Sequence, residues 1–265
     1  MRLDQILVQL SLVSTRSQAQ DLIRRERVRI RKNGEWKIAQ KPGEALPSDI
    51  QAADISIDPG DLRFVSRGGL KLELALQHTH YSPTHKIALD VGLSTGGFAD
   101  CLLQAGSEKV IGIDVGTDQL HPSLRTNPKL TAFEQMHLKT LDATFLRAHF
   151  LPEKFDLITV DVSFISLTHV FPVINPLMKS DGRLLALVKP QFELEPADLT
   201  ELRRTSGIVK DPELWVRVKE KIVRKAQENN FDVLDYFTCS LRGQDGNQEF
   251  FLYASPRMPT PTAFL

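Results

Sequence analysis

Leu3, Ile6, Leu7 and Leu10 recur at helical spacing near the start of the chain, which predicts a short first helix. Ser14 and Thr15 are N-cap candidates for a second, which carries Ala19, Leu22 and Ile23 on one face. Arg27-Val28-Arg29-Ile30-Arg31 then alternates basic and apolar, the period of a half-buried strand, and Asn33-Gly34 follows as a tight-turn signal. The first part therefore reads as helix, helix, small sheet. Residues 38–62 read as the end of that module plus a linker, punctuated by Pro42, Gly43, Pro47, Pro59 and Gly60.

From Lys86 on, strands alternate with helices. Ile87-Ala88-Leu89 ends in Asp90, a glycine-rich turn spans residues 92–97, and a helix bearing Phe98, Leu102 and Leu103 stops at Gly106. Val110-Ile111-Gly112-Ile113 ends in Asp114, and a third parallel strand is expected to end near Leu141-Asp142. Residues 155–160 end in Asp161, and a strand opened by Gly182 ends in Lys189. Asp211-Pro212 starts a helix carrying Leu214, Val218 and Ile222, and two strand-like runs flank residues 243–247. The segment 70–76 fits strand alternation and helical spacing alike; helix is favoured. The whole predicts an open α/β sheet, parallel with an antiparallel C-terminal hairpin.

Composition narrows the class. Apolar residues at 42% and charged residues at 25% of 265 are ordinary globular usage, which excludes a disordered, collagen-like or low-complexity chain. No apolar run approaches the ~18 residues of a membrane helix, and the N-terminus lacks a secretory signal layout. The two cysteines lie far apart and the seven histidines are scattered. No metal, no disulfide, no membrane and a cytoplasmic setting are the expectations.

The charge sum is zero, 33 basic against 33 acidic residues, which taken whole argues against a nucleic-acid partner. Split at residue 37 it does not. The first 37 residues hold nine basic and four acidic side chains, a balance of +5, and the remainder is −5. A strand with its apolar side inward turns Arg27, Arg29 and Arg31 outward, beside Arg24 and Arg25. That is a face for RNA or DNA phosphates, against the plainer alternative of a solvated basic surface.

Asp90, Asp114, Asp161 and Lys189 all fall at predicted strand ends, where open α/β sheets bind ligands. The glycine turn is neither a dinucleotide fingerprint nor a Walker loop. With Asp114 placed to receive ribose hydroxyls, it suits a nucleoside cofactor without pyrophosphate, such as S-adenosylmethionine. A structural turn beside an unrelated acid is the alternative.

Two resemblances sharpen this. Arg2-Leu3-Asp4-Gln5-Ile6-Leu7, Ser14-Thr15-Arg16-Ser17-Gln18-Ala19, Asp21-Leu22-Ile23 and Val28-Arg29-Ile30 resemble the S4-type RNA-binding domain. It implies RNA contacts at Arg2, Arg16, Arg24, Arg25, Arg27, Arg29, Arg31 and Lys32. Five further motifs occur in order: Phe64-Val65-Ser66-Arg67-Gly68-Gly69-Leu70-Lys71-Leu72, Asp90-Val91-Gly92-Leu93-Ser94-Thr95-Gly96-Gly97-Phe98, Asp161-Val162-Ser163-Phe164-Ile165-Ser166-Leu167, Val188-Lys189-Pro190-Gln191-Phe192-Glu193 and Gly246-Asn247-Gln248-Glu249-Phe250-Phe251. Together they resemble the TlyA family, once called haemolysins: rRNA ribose 2′-O-methyltransferases of the FtsJ-like type.

The resemblance covers nearly the whole chain. It implies a Rossmann-like S-adenosylmethionine methyltransferase sheet over 61–265, preceded by a small α+β S4-like domain with its linker over 1–60. It implies a catalytic tetrad of Lys71, Asp161, Lys189 and Glu249. It also implies cofactor contacts at Ser66, Arg67, Gly68, Asp90, Gly92, Ser94, Thr95, Gly96, Gly97, Phe98, Asp114, Val115 and Asp142, and ribosomal RNA or a ribosomal subunit as partner. By length the chain resembles the shorter of two family classes, which acts on large-subunit RNA.

The residue types suit that chemistry. A ribose hydroxyl needs a base and alignment. Two neighbouring lysines, partly buried, disfavour each other's charged forms, so Lys189 is the candidate base, tuned by Lys71 and Asp161. Glu249 would hold Lys71 or the ribose. Taken singly, Lys71 also reads as a solvated helix residue, Asp142 as a surface acid, and alternation does not decide the facing of Glu249. Two departures from the family stand out: Leu93 replaces a usually small residue, expected to tighten the cofactor entrance, and residues 194–206 replace most of a glycine- and lysine-rich loop. The competing functions are a non-catalytic RNA-binding protein with a vestigial methylase domain and a membrane-lysing protein.

Overall fold

The computed structural model describes residues 1–257 apart from 11, 14, 15, 25, 33, 48, 49, 58–62, 199–206 and 244. Ser14, Thr15, Arg25 and most of the divergent 194–206 loop therefore lie outside the described residues.

The N-terminal part packs two helices, α1 (Leu3–Gln9) and α2 (Arg16–Arg24), on a three-stranded antiparallel sheet ordered β2 (Glu35–Ile38), β1 (Val28–Lys32), β3 (Ile55–Ile57). Its core is closed by Leu3, Ile6, Leu7, Ala19, Leu22, Ile23, Val28 and Ile30. The strand β3 carries the module to Ile57, far into the stretch 38–62 read as its end plus a linker. Ile55 pairs with Ile30 and buries its side chain, so the module needs those residues to cover its sheet edge.

At the seam of α1 and α2 sits Asp4, fully buried. Its carboxylate accepts from Arg2 at 3.0 and 3.1 Å, Arg16 Nε at 2.8 Å and Gln20 at 2.8 Å. The Arg2 guanidinium above all holds this carboxyl far below the usual carboxylate range. A depressed folded pKa means the contribution is present above about pH 4 and is lost as pH falls further.

The larger part is a seven-stranded sheet ordered β6 (Leu130–Phe133), β5 (Lys109–Ile113), β4 (Ile87–Val91), β7 (Phe155–Val160), β8 (Met178–Val188), β10 (Phe250–Pro256), β9 (Phe231–Thr238). Neighbours from β6 to β8 run parallel, and β10 runs antiparallel to both β8 and β9. The chain steps outward from β4 to β6, then returns to the other side of β4 with β7. That reversal makes the β4/β7 boundary the switch point, the edge at which open α/β sheets bind ligands. Every residue of β7 is buried, as a central strand covered on both faces requires.

The helix α3 (Arg67–His78) resolves the 70–76 ambiguity, and α4 (Gly97–Gln104) follows the glycine turn. Two elements differ from expectation. The third parallel strand is Leu130–Phe133, well before Leu141-Asp142. The strand expected from Gly182 begins at Met178, and Gly182 lies inside it, where a Cβ would sit 2.9 Å from the Lys179 carbonyl oxygen.

Replacing Asp4 with Asn should destabilise the N-terminal module by about 1–2 kcal/mol, a modest figure because the two guanidiniums are half-exposed and solvent-screened. Hydrogen exchange at the β1 amides measures it; exchange unchanged from wild type at pH 7 would remove Asp4 as the seam's anchor.

Candidate active site

Strand register delivers the site. Val91 of β4 pairs with Val160 of β7, so the next residues, Gly92 and Asp161, meet at the edge. Gly92 takes φ +89, and a Cβ there would lie 2.3 Å from the Asp161 carbonyl oxygen. Only glycine permits that conformation and that approach together. Phe250 of β10 pairs with Val188 of β8, which sets Glu249 beside Lys189 although their strands run in opposite directions.

All four predicted catalytic residues come together there. Lys71 Nζ, on α3, donates to Glu249 Oε2 at 2.5 Å, both side chains nearly buried. Lys189 Nζ forms an ion pair with Asp161 Oδ1 at 2.6 Å and donates to Ser163 Oγ at 2.9 Å. Burial pushes the Glu249 carboxyl above its ordinary range against the pull of Lys71, and it also feels Asp161 and Lys189. The facing of Glu249, undecided by alternation, is inward at 3% exposure.

The glycine turn borders the same edge. Gly92 and Leu93 donate to the Ile113 carbonyl at the end of β5. Asp114 accepts from Ser94 N at 2.8 Å and Gly116 N at 2.6 Å. A Cβ on Gly97 would lie 2.1 Å from Ser66 Oγ, and one on Gly68 would touch Phe98 at 3.4 Å, so the start of α3 closes directly on the start of α4. Arg67 is tied to the Arg242 carbonyl. Thr95 and Gly96 lie in the turn itself, and Val115 is exposed beside Asp114.

Asp90 differs from a strand-end acid. It lies within β4, fully buried. Its Oδ1 accepts from Thr159 Oγ1 at 2.8 Å, while Oδ2 has no well-aligned donor, the Ala99 amide of α4 lying near the carboxylate. Burial raises its pKa to about 7. A carboxylate oxygen without a well-aligned donor beneath a turn too close-packed for side chains fits a polar, cationic ligand with a nucleoside, as S-adenosylmethionine is.

Asp142 and Leu93 each have a local structural role. The Asp142 carboxylate caps the helix Ala143–Ala148 by accepting from Phe145 N at 2.7 Å. Leu93 does not tighten the entrance: its side chain is buried below the turn, where a Cβ on Gly112 would meet it at 2.7 Å.

Residues that the sequence gave no role complete the edge. Phe164 is 91% exposed, has φ +66, and packs at 5.0 Å on Phe192. That conformation is uncommon for a bulky side chain, and here it leaves the ring exposed on the loop that follows β7. Buried Glu193 accepts from Ser166 Oγ at 2.5 Å and Leu167 N at 2.8 Å, and its carbonyl accepts from Lys221 at 2.7 Å. It thereby ties the loop bearing Asp161 and Ser163 to the segment bearing Lys189. Both motifs were visible as strings, but nothing in them marks a tie between loops.

The basic face of the N-terminal module is divided. Arg2 and Arg16 are engaged by Asp4, and Lys32 by Glu44. Arg24, Arg27, Arg29 and Arg31 are exposed. Among the described residues no helix is long and apolar enough to cross a membrane, and no cluster of His, Cys, Asp and Glu could hold a metal.

Comparison with known proteins agrees with this layout. Residues 64–255 match the family described as FtsJ-like methyltransferase and residues 1–35 match the S4 domain. The chain is 35% identical over 253 residues to "Putative rRNA methyltransferase YqxC" of Bacillus subtilis, spanning 95% of this chain and 84% of that one. It is 34% identical over 252 residues to "16S/23S rRNA (cytidine-2'-O)-methyltransferase TlyA" of Mycobacterium tuberculosis, spanning 95% and 88%. A solved structure described as "Putative hemolysin from Streptococcus thermophilus" superposes with a TM-score of 0.73 at 32% identity, over 99% of this chain and 92% of that one.

Two outcomes follow from the geometry. An acid with a raised folded pKa stabilises least where it is ionised, so wild-type stability should fall as pH rises from about 4 through 7. Asp90→Asn should accordingly melt above wild type at pH 8, by less at pH 5, and level with it only below about pH 4, where the acid is protonated folded and unfolded alike; equal melting points at pH 8 would contradict a strained Asp90. Glu193→Ala should release the two loops and lower turnover about tenfold or more with cofactor affinity kept, while Glu193→Gln, which still offers an acceptor to Leu167, should restore most of it.

Proposed function

Because the chain belongs to the FtsJ-like methyltransferase family, with an S4 domain ahead of the catalytic region, we propose that it methylates a ribose 2′-hydroxyl in ribosomal RNA, that of a cytidine, with S-adenosylmethionine as donor. The observation that carries this reading is the convergence of two lysine–carboxylate pairs on one sheet edge beside a glycine turn. The residues from 1 to 60 hold the RNA and those from 61 to 265 carry out the transfer, in the cytoplasmic setting where ribosomes are found.

Bound against residues 90–98, with Ser66, Gly68 and Asp114 beside it, S-adenosylmethionine would supply an electrophilic methyl on a positively charged sulfur. The chain's task is then to deprotonate and aim an oxygen. Having given up its own proton before the reaction, Lys189 Nζ takes the 2′-hydroxyl proton as the oxygen–carbon bond forms and the carbon–sulfur bond breaks. Asp161, 2.6 Å away, stabilises the ammonium so produced, and Ser163 fixes the direction of Nζ. Lys71, held by Glu249, lines the opposite side of the same edge. Phe164 offers an exposed ring on which the target base stacks beside the reacting ribose.

Labelled methyl transfer to purified bacterial rRNA tests this. The label should survive alkali at the modified linkage, because a methylated 2′-oxygen cannot attack its phosphate, and large-subunit RNA should take the larger share. Lys189→Ala should lower the rate by about 10²–10⁴-fold while calorimetry shows cofactor binding retained. An unchanged rate would remove Lys189 as the base. RNA binding without cofactor binding in the wild type would favour a vestigial domain.

A further inference from the structure

The outer face of the N-terminal sheet carries a pattern that the predicted basic face does not account for. In the β1–β2 pairing Arg31 lies opposite Trp36 and Arg29 opposite Ile38, and on the other side Arg29 lies opposite Ser56 of β3. Directly paired residues share a face of a sheet. The inner face takes Val28, Ile30 and Ile55 into the core. The outer face therefore holds Arg29, Arg31, Trp36 and Ile38 side by side, with Trp36 43% and Ile38 40% exposed. The Arg31 guanidinium lies 4.9 Å from the Trp36 ring centroid.

A single exposed apolar residue is ordinary. An exposed indole and an isoleucine interleaved with two guanidiniums are a different case. A guanidinium held over an indole by the cation–π attraction is positioned without using its N–H groups as donors to the ring's neighbours. The surface asks for a partner with flat apolar rings and closely spaced negative charges. The net +5 over residues 1–37 asks for a polyanion. An unpaired stretch of RNA meets both needs at once, because bases stack on aromatic rings and phosphates pair with arginine.

We propose that this outer face is a stacking platform for an unpaired RNA base, with Trp36 as the ring and Arg29 and Arg31 as flanking phosphate contacts. The proposal rests on the RNA-methylating reading above and adds to it a contact that is independent of phosphate charge.

The test is the affinity of the full chain for deproteinised bacterial large-subunit rRNA across a salt series. Trp36→Ala should weaken binding about 5- to 100-fold with the slope of log affinity against log salt unchanged, because no charge is removed. Trp36→Phe should recover most of that loss. Arg29→Ala should lower the slope by about one. Fluorescence of wild type against Trp36→Phe should show quenching of Trp36 on RNA addition. A melting point and cofactor affinity equal to wild type would establish that the exposed substitution leaves the chain folded.

Trp36→Ala within twofold of wild type overturns the platform. So does quenching by the ribosomal protein fraction and not by the RNA, which would assign the face to a protein. If wild type binds and methylates the RNA in either case, the parent reading stands alone. Failure of wild type to bind RNA at all would overturn both.

Discussion

The site depends on one strand running the wrong way. A purely parallel sheet brings to its C-terminal edge only residues that follow strands, as Asp161 follows β7 and Lys189 follows β8. Because β10 is antiparallel, the residue before it arrives at that same edge. The pairing of Phe250 with Val188 is what sets Glu249 next to Lys189 and within 2.5 Å of Lys71. A lysine and a glutamate this buried cost several kcal/mol each in lost hydration, which only close pairing offsets. The pair is then mutually dependent: either partner alone would be an uncompensated buried charge. The antiparallel end of the sheet thus completes the chemistry as well as the fold.

The four groups also arrive from both faces of the sheet. One apolar cluster gathers Leu72, Ala75 and Leu76 of α3 with Ala88, Leu157, Leu185, Leu187 and Phe251. The other gathers Val218, Ile222 and Ala226 of the helix Pro212–Glu228 with Leu89, Ile158, Val160, Leu184 and Ala186. Successive residues of a strand face opposite ways, so β4, β7 and β8 feed both clusters. Lys71 is set by the first cluster. Lys189 and Asp161 are braced from the second, through Glu193 and Lys221. A close-packed sheet between them transmits little play, which is the condition for holding a base and a carboxylate in a reactive arrangement.

Much of this was legible in the sequence. Strong periodicity marked α4, β4, β5 and β7, acids at strand ends marked the edge, and α3 was favoured only over an equally regular strand pattern. What escaped was tertiary in origin. The strand β6 is a four-residue edge strand, partly exposed throughout, and carries no alternation to read. The strand β3 is three residues long and exists because β1 needs a partner. Leu93 faced the core because Gly112 on the neighbouring strand leaves it room, a fact about another segment. Asp90 read as one of four strand-end charges, yet it sits one residue inside β4, where burial changes its character. Glu193 and Ser163 were present in quoted motifs, but their roles are contacts between loops more than twenty residues apart in sequence.

Charge explains why the chain needs two parts. At the sheet edge two lysines are matched by two carboxylates, so the residues that would carry out transfer sum to zero. The residues beyond 37 sum to −5. Such a surface does not attract a polyanion, and at physiological ionic strength charges farther than about 8 Å are screened in any case. A site that deprotonates a ribose hydroxyl also gains nothing from unmatched positive charge beside its base. Attraction to RNA and chemistry on RNA therefore make opposite demands on local charge. Placing the excess of +5 on residues 1–37, the two helices and the β1–β2 hairpin of the N-terminal module, and pairing every lysine of the tetrad, meets both demands at once. The zero net charge of the whole chain is the sum of that division.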